Sequence, residues 1–121
     1  KMGHITTFGG NPVIAASSLA TLNVLLNSSL IEDTLKKELL FKKLLKHPKI
    51  KEIRGKGLML ALIMDTPETA NELVLQAKEK NLILFWLLFE NRAVRISPPL
   101  TITKKEIQEG CEIILALLNS L

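Results

Sequence analysis

The chain of 121 residues has no tyrosine, one tryptophan and four phenylalanines. Aromatic residues are scarce among its lysines, where Phe41 alone stands, so a stacking surface for nucleic acid is not expected. One cysteine, Cys111, excludes an internal disulfide and fits a reducing cytoplasm. The two histidines, His4 and His47, have no carboxylate or cysteine placed to join them, so no metal site is expected. His4 reads as a structural or site-lining residue beside the glycine-rich stretch, and His47, just before Pro48, as a helix exit. No apolar run approaches the length of a membrane span and no basic-then-apolar leader is read, so no membrane association is expected. Neither a Gly-Lys-Ser/Thr phosphate loop nor a G-x-G-x-x-G string is found, which excludes the common nucleotide and dinucleotide frames. Internal repeats and low-complexity linkers are lacking too.

What is there is a globular composition: 47% hydrophobic, mean hydropathy +0.25, enough for one core. The net charge of +4 is concentrated in the lysines and arginine between Lys36 and Lys56. Glu32, Asp33, Glu38 and Glu52 are mixed among them, so this reads as a solvated face.

The pattern predicts helix, helix, two strands, helix, two strands, helix. Asn11 and Pro12 start a helix reaching about Asn27 that is apolar on nearly every face, the signature of a buried helix. Ser29 to Glu32 has the spacing of a capping box, followed by Ile31, Leu35 and Leu39 at four-residue steps, with Phe41, Leu44 and Leu45 widening the stripe. Ile50–Arg54 and Leu58–Met64 read as strands around a Gly55-Lys56-Gly57 break. Thr66 and Pro67 open a helix with Ala70, Leu73, Val74 and Ala77 inward. Leu82–Phe89 reads as a strand sandwiched on both faces, in which Phe85 and Trp86 are core or interface residues rather than a substrate wall. Glu90-Asn91-Arg92 reads as a turn with Arg92 facing solvent, before the strand Ala93–Ser97 that Pro98-Pro99 stops. A capping box at Thr103 and Glu106 opens the last helix, with Ile107, Cys111, Ile114 and Leu118 inward and Cys111 a packing residue. Short connections suit an α+β fold, an antiparallel or mixed sheet with helices on one face.

Two places carry candidate chemistry. In Gly3-His4-Ile5-Thr6-Thr7-Phe8-Gly9-Gly10-Asn11-Pro12, two hydroxyl donors and two glycines precede a helix start, whose unpaired N–H groups attract anions. The plain alternative is a helix entry and nothing more. Arg95 sits within an apolar strand, where a buried guanidinium is costly unless it meets an anion, either an internal carboxylate or a ligand.

Thr7-Phe8-Gly9-Gly10-Asn11-Pro12 and Arg95-Ile96-Ser97-Pro98-Pro99-Leu100 resemble segments of the class III pyridoxal-phosphate aminotransferases, the family of the acetylornithine and ornithine aminotransferases. Arg54-Gly55-Lys56-Gly57-Leu58-Met59 resembles a strand region of the same family, and no ligand contact is carried onto Arg54 or Lys56. The resemblance runs over essentially the whole chain and covers only the C-terminal part of such an enzyme. It implies the C-terminal small domain of a pyridoxal-phosphate-dependent transferase, residues 29–121, preceded by one large-domain helix and the phosphate loop, residues 1–28. It also implies that Thr7, helped by Thr6, binds the cofactor phosphate of the neighbouring subunit in a homodimer, and that Arg95 binds the α-carboxylate of the amino-acid substrate. The implied reaction moves the terminal amino group of acetylornithine or ornithine to 2-oxoglutarate, in the cytoplasm, within arginine metabolism. The family's Schiff-base lysine belongs to an upstream segment, so no catalytic residue is expected here and the chain alone is expected to be inactive. The other readings are a non-catalytic binding or dimerisation module and a basic nucleic-acid-binding domain.

Overall fold

The computed structural model describes residues 5–121; His4 lies outside the described residues. The chain forms two compact units that divide at Ile31/Glu32.

In the first unit, α1 (Pro12–Leu26) begins where Asn11 Oδ1 accepts from the N–H groups of Val13 (3.0 Å) and Ile14 (3.3 Å), with Pro12 at the first position. It ends at Asn27, whose backbone and side-chain nitrogens both donate to the Asn23 carbonyl. No residue of α1 is buried, although its composition is apolar on every side.

The second unit runs α2 (Asp33–Leu44), β1 (Ile50–Lys56), β2 (Met59–Met64), α3 (Pro67–Glu79), β3 (Phe85–Leu87), β4 (Glu90–Ile96) and α4 (Lys104–Ser120). The element order follows the sequence pattern. The four strands form one antiparallel sheet in the order β1-β2-β4-β3. Leu60 pairs with Ile96 and Leu62 with Val94, so these four share a face. They join Phe41, Leu73, Ala77, Ile107, Cys111, Ile114 and Leu118 in a single core, which places α2, α3 and α4 on that face.

Local chemistry explains most boundaries. Thr66 Oγ1 accepts from Thr69 N–H at the start of α3, with Pro67 first in the helix. At α4 the capping box is complete: Thr103 Oγ1 accepts from Glu106 N–H (3.2 Å) and Glu106 Oε2 accepts from Thr103 N–H (2.7 Å). These hydrogen bonds, the backbone one first, hold the Glu106 carboxyl below its usual range. β1 and β2 are joined by a two-residue turn in which Gly57 takes φ +60°. Gly55, inside β1, takes φ +116°, and a Cβ there would fall 2.0 Å from the Met59 carbonyl oxygen.

The structure corrects the expectations for α2 and for residues 82–92. α2 starts at Asp33 and not at the Ser29 box; Glu32 is its N-cap without a side-chain cap, and residues 30–32 form a turn. It also ends at Leu44, short of His47. Its inward side is Phe41 and Leu45, flanked by Leu40 and Leu44, while Ile31, Leu35 and Leu39 are exposed. The helix carries two apolar stripes and only one meets the sheet.

Leu82–Phe89 is not a sandwiched strand. Only Phe85–Leu87 pairs, at the sheet edge, and Leu88 (93% exposed) and Phe89 (101%) form the turn to β4. Phe85 and Trp86 are half-exposed and outside the core. The turn precedes Glu90, so Arg92 lies in β4, half-buried, with Nε 3.2 Å from Glu90 Oε1. This pair holds the Glu90 carboxyl below its usual range.

Candidate functional site

Thr6 and Thr7 lie in the first of two overlapping turns of the first unit. Gly9 N–H donates to the Thr6 carbonyl (3.3 Å) and Asn11 N–H to that of Phe8 (3.1 Å). Gly10 takes φ +79°, the left-handed position that the second turn needs. Gly9 brings the loop against Thr6, since a Cβ there would stand 2.9 Å from Thr6 Cγ2.

The anion-attracting helix end is not available in the way the sequence suggests. Pro12 has no N–H, and Asn11 Oδ1 already takes those of Val13 and Ile14. What remains on offer is the pair of Thr6 and Thr7 hydroxyls, on exposed residues and without a hydrogen bond among the described residues. Two free O–H donors on a tight glycine turn fit a phosphate as a hydroxyl clasp.

Arg95 lies in the second unit, in β4. Because side chains alternate along a strand, Val94 and Ile96 turn into the core and Arg95 turns to the opposite face. The guanidinium is therefore exposed and not buried, and the desolvation argument for an anion does not apply to it. Its position is set by register: Arg54, Ala61, Arg95 and Phe85 are successive partners across β1, β2, β4 and β3. Ala61, small and central, leaves room between the arginines. A hollow of about 220 Å³ opens there, lined by Arg54, Ala61, Met59, Leu87, Arg95 and Ser97 among others.

The two arginines differ in company. Arg54 Nε lies 2.7 Å from Glu52 Oε2. Arg95 has no carboxylate partner among the described residues, and its Cζ stands 5.1 Å from the centroid of the Phe85 ring. A planar fork with free N–H donors, on an open sheet face over apolar ground, can take a carboxylate in two places. Sequence reasoning missed Phe85 as the neighbour of Arg95, because only the β3–β4 register brings them together.

Other candidates fall out plainly. Lys36 pairs with Asp33 (2.7 Å), Lys42 with Glu38 (2.6 Å), and Lys37 donates to the Leu100 carbonyl, so much of the basic helix is engaged within the chain. His47 Nε2 lies 3.3 Å from Asn119 Oδ1. Cys111 is buried, and burial first, then Glu112, pushes its thiol up to about 12, which leaves it no nucleophile. Among the described residues no cluster of His, Cys, Asp and Glu could hold a metal, and no helix is long and apolar enough to cross a membrane.

The family model for class III aminotransferases matches residues 1–118. The chain is 38% identical to the acetylornithine aminotransferase of Caldanaerobacter subterraneus subsp. tengcongensis, over 98% of this chain and 30% of that protein. It is 41% identical to the ornithine aminotransferase of Plasmodium chabaudi chabaudi, over 93% of this chain and 28% of that one. The crystal structure of acetylornithine aminotransferase from Elizabethkingia anophelis superposes with a TM-score of 0.84 at 34% identity, covering all of this chain and 33% of that one. The chain thus spans about 30% of the length of the curated relatives it matches. It belongs to the class III aminotransferases, a family of pyridoxal-phosphate-dependent enzymes.

Proposed function

We propose that this chain supplies the substrate-carboxylate residue and a phosphate clasp to a pyridoxal-phosphate aminotransferase that moves the terminal amino group of acetylornithine or ornithine to 2-oxoglutarate. The observation that carries the reading is Arg95, on the open face of the sheet and without an ion pair among the described residues. Relatives named for acetylornithine and ornithine support the substrate class. Bound, the cofactor supplies an electron sink for the amino-group exchange. Arg95 holds a substrate carboxylate in two places and so fixes the direction in which the rest of the substrate extends. Thr6 and Thr7 donate their hydroxyls to the cofactor phosphate, in a homodimer to that of the neighbouring subunit. The apolar surface of α1, none of it buried, supports such an association. A single free thiol fits a cytoplasmic setting. We infer that the 121 residues alone do not turn over, since they span about 30% of the length of their relatives.

The test uses the full-length protein loaded with pyridoxal phosphate. Acetylornithine or ornithine should change the cofactor's absorbance, and 2-oxoglutarate should reverse the change. Arg95→Ala should raise the KM of the carboxylate substrate by roughly two orders of magnitude, as for losing a bidentate charged hydrogen bond. A protein that binds no cofactor would instead be a binding or dimerisation module. Ornithine turnover by the isolated chain would refute the claim that it is inactive.

A further inference from the structure

A ligand-binding arginine needs something to hold it, and the usual holder, a carboxylate, competes with the ligand for the same N–H edge. Arg95 has no such holder among the described residues, and Glu52, on the same face of the sheet, is engaged with Arg54 at 2.7 Å. Phe85 is the β3 residue paired with Arg95, and its ring stands 5.1 Å from the guanidinium carbon. Resting on the reading of Arg95 as a carboxylate residue, we propose that Phe85 is its positioning residue. A ring attracts the flat face of a guanidinium through its quadrupole and leaves the in-plane N–H donors free. Phe85 thereby narrows the orientations of Arg95 without occupying the edge that the carboxylate takes. Binding then freezes less side-chain motion and is tighter for it. The effect falls on the carboxylate alone, since Phe85 acts through Arg95. Trp86, the next residue, pairs with Val94 and not with Arg95, although it is similarly exposed (46% against 50%).

The experiment measures, in the full-length protein loaded with pyridoxal phosphate, the calorimetric dissociation constant of 2-oxoglutarate, together with its KM and the kcat. Phe85→Leu keeps an apolar strand residue and removes the ring. It should weaken 2-oxoglutarate about fivefold, the size expected of a half-exposed cation–π contact, and raise KM more than it changes kcat. Phe85→Tyr restores the ring face and should restore binding, and Trp86→Leu should bind as the unsubstituted protein does. Undiminished affinity in Phe85→Leu, or no rescue by Phe85→Tyr, overturns the positioning role. Arg95→Ala separates the two levels. If it weakens 2-oxoglutarate while Phe85→Leu does not, only the role of Phe85 falls; if it binds as tightly as before, the carboxylate reading of Arg95 falls and takes the proposal with it.

Discussion

Arg54 and Arg95 share a face because both lie in register with Ala61, yet their surroundings differ. An exposed pair such as Glu52–Arg54 contributes little to stability. Arg95 faces outward between two core residues, which the strand's alternation allowed but its apolar composition obscured. Glu38 shows what a better-placed carboxylate does. With 13% of its side chain exposed, it accepts from Lys42 Nζ at 2.6 Å and from Gly57 N–H at 2.5 Å, tying α2 to the β1–β2 turn. Those hydrogen bonds, Lys42 first and then Gly57, hold its carboxyl below the ordinary 4.5. A carboxyl whose value is lowered by folding stabilises the fold above its unfolded value, and loses that contribution as pH falls through the folded one. Glu38→Gln should therefore lower the urea midpoint at pH 7, and the gap to the unsubstituted protein should close on acidification from about pH 5 to pH 3.

At the scale of elements, the β1–β2 hairpin rests on two glycines with different duties. Gly57 supplies the turn angle, and Gly55 admits the Met59 carbonyl at a distance no side chain permits. Gly55→Ala must move backbone as well as adopt a left-handed φ. It should cost at least about 2 kcal/mol, read as a lowered urea midpoint with faster amide exchange in β1 and β2. Gly10→Ala, with nothing within 4 Å of the added carbon, should cost only about 1 kcal/mol. The helices capped by Thr66 and Thr103 were legible because the cap, the proline or glutamate and the apolar stripe agree. α2 was misread because Ile31, Leu35 and Leu39 repeat as regularly as Leu40, Phe41, Leu44 and Leu45, and only the packing against α4 and β1 selects between them.

Taken whole, the second unit is a one-sided sheet whose helices close a single core. Cys111 sits inside that core with Ile107, Ile114 and Leu118, so its chemistry reports the integrity of the unit. With the thiol pushed up to about 12 and out of reach of solvent, a thiol reagent at pH 8 should label it only as fast as the unit opens. Labelling should become rapid once urea unfolds the protein; rapid labelling of the native state would contradict the packing.

The sequence by itself determined the element order, the caps of α1, α3 and α4, the inward stripes of α3 and α4 and the family, because each rests on local spacing or on short strings of residues. Tertiary structure decided which stripe of α2 is inside and that Leu82–Phe89 contributes only an edge strand with an exposed turn. It alone set Phe85 beside Arg95. Those outcomes depend on strand register and on packing between elements, which arise between residues far apart in the chain and leave no periodic mark on the sequence.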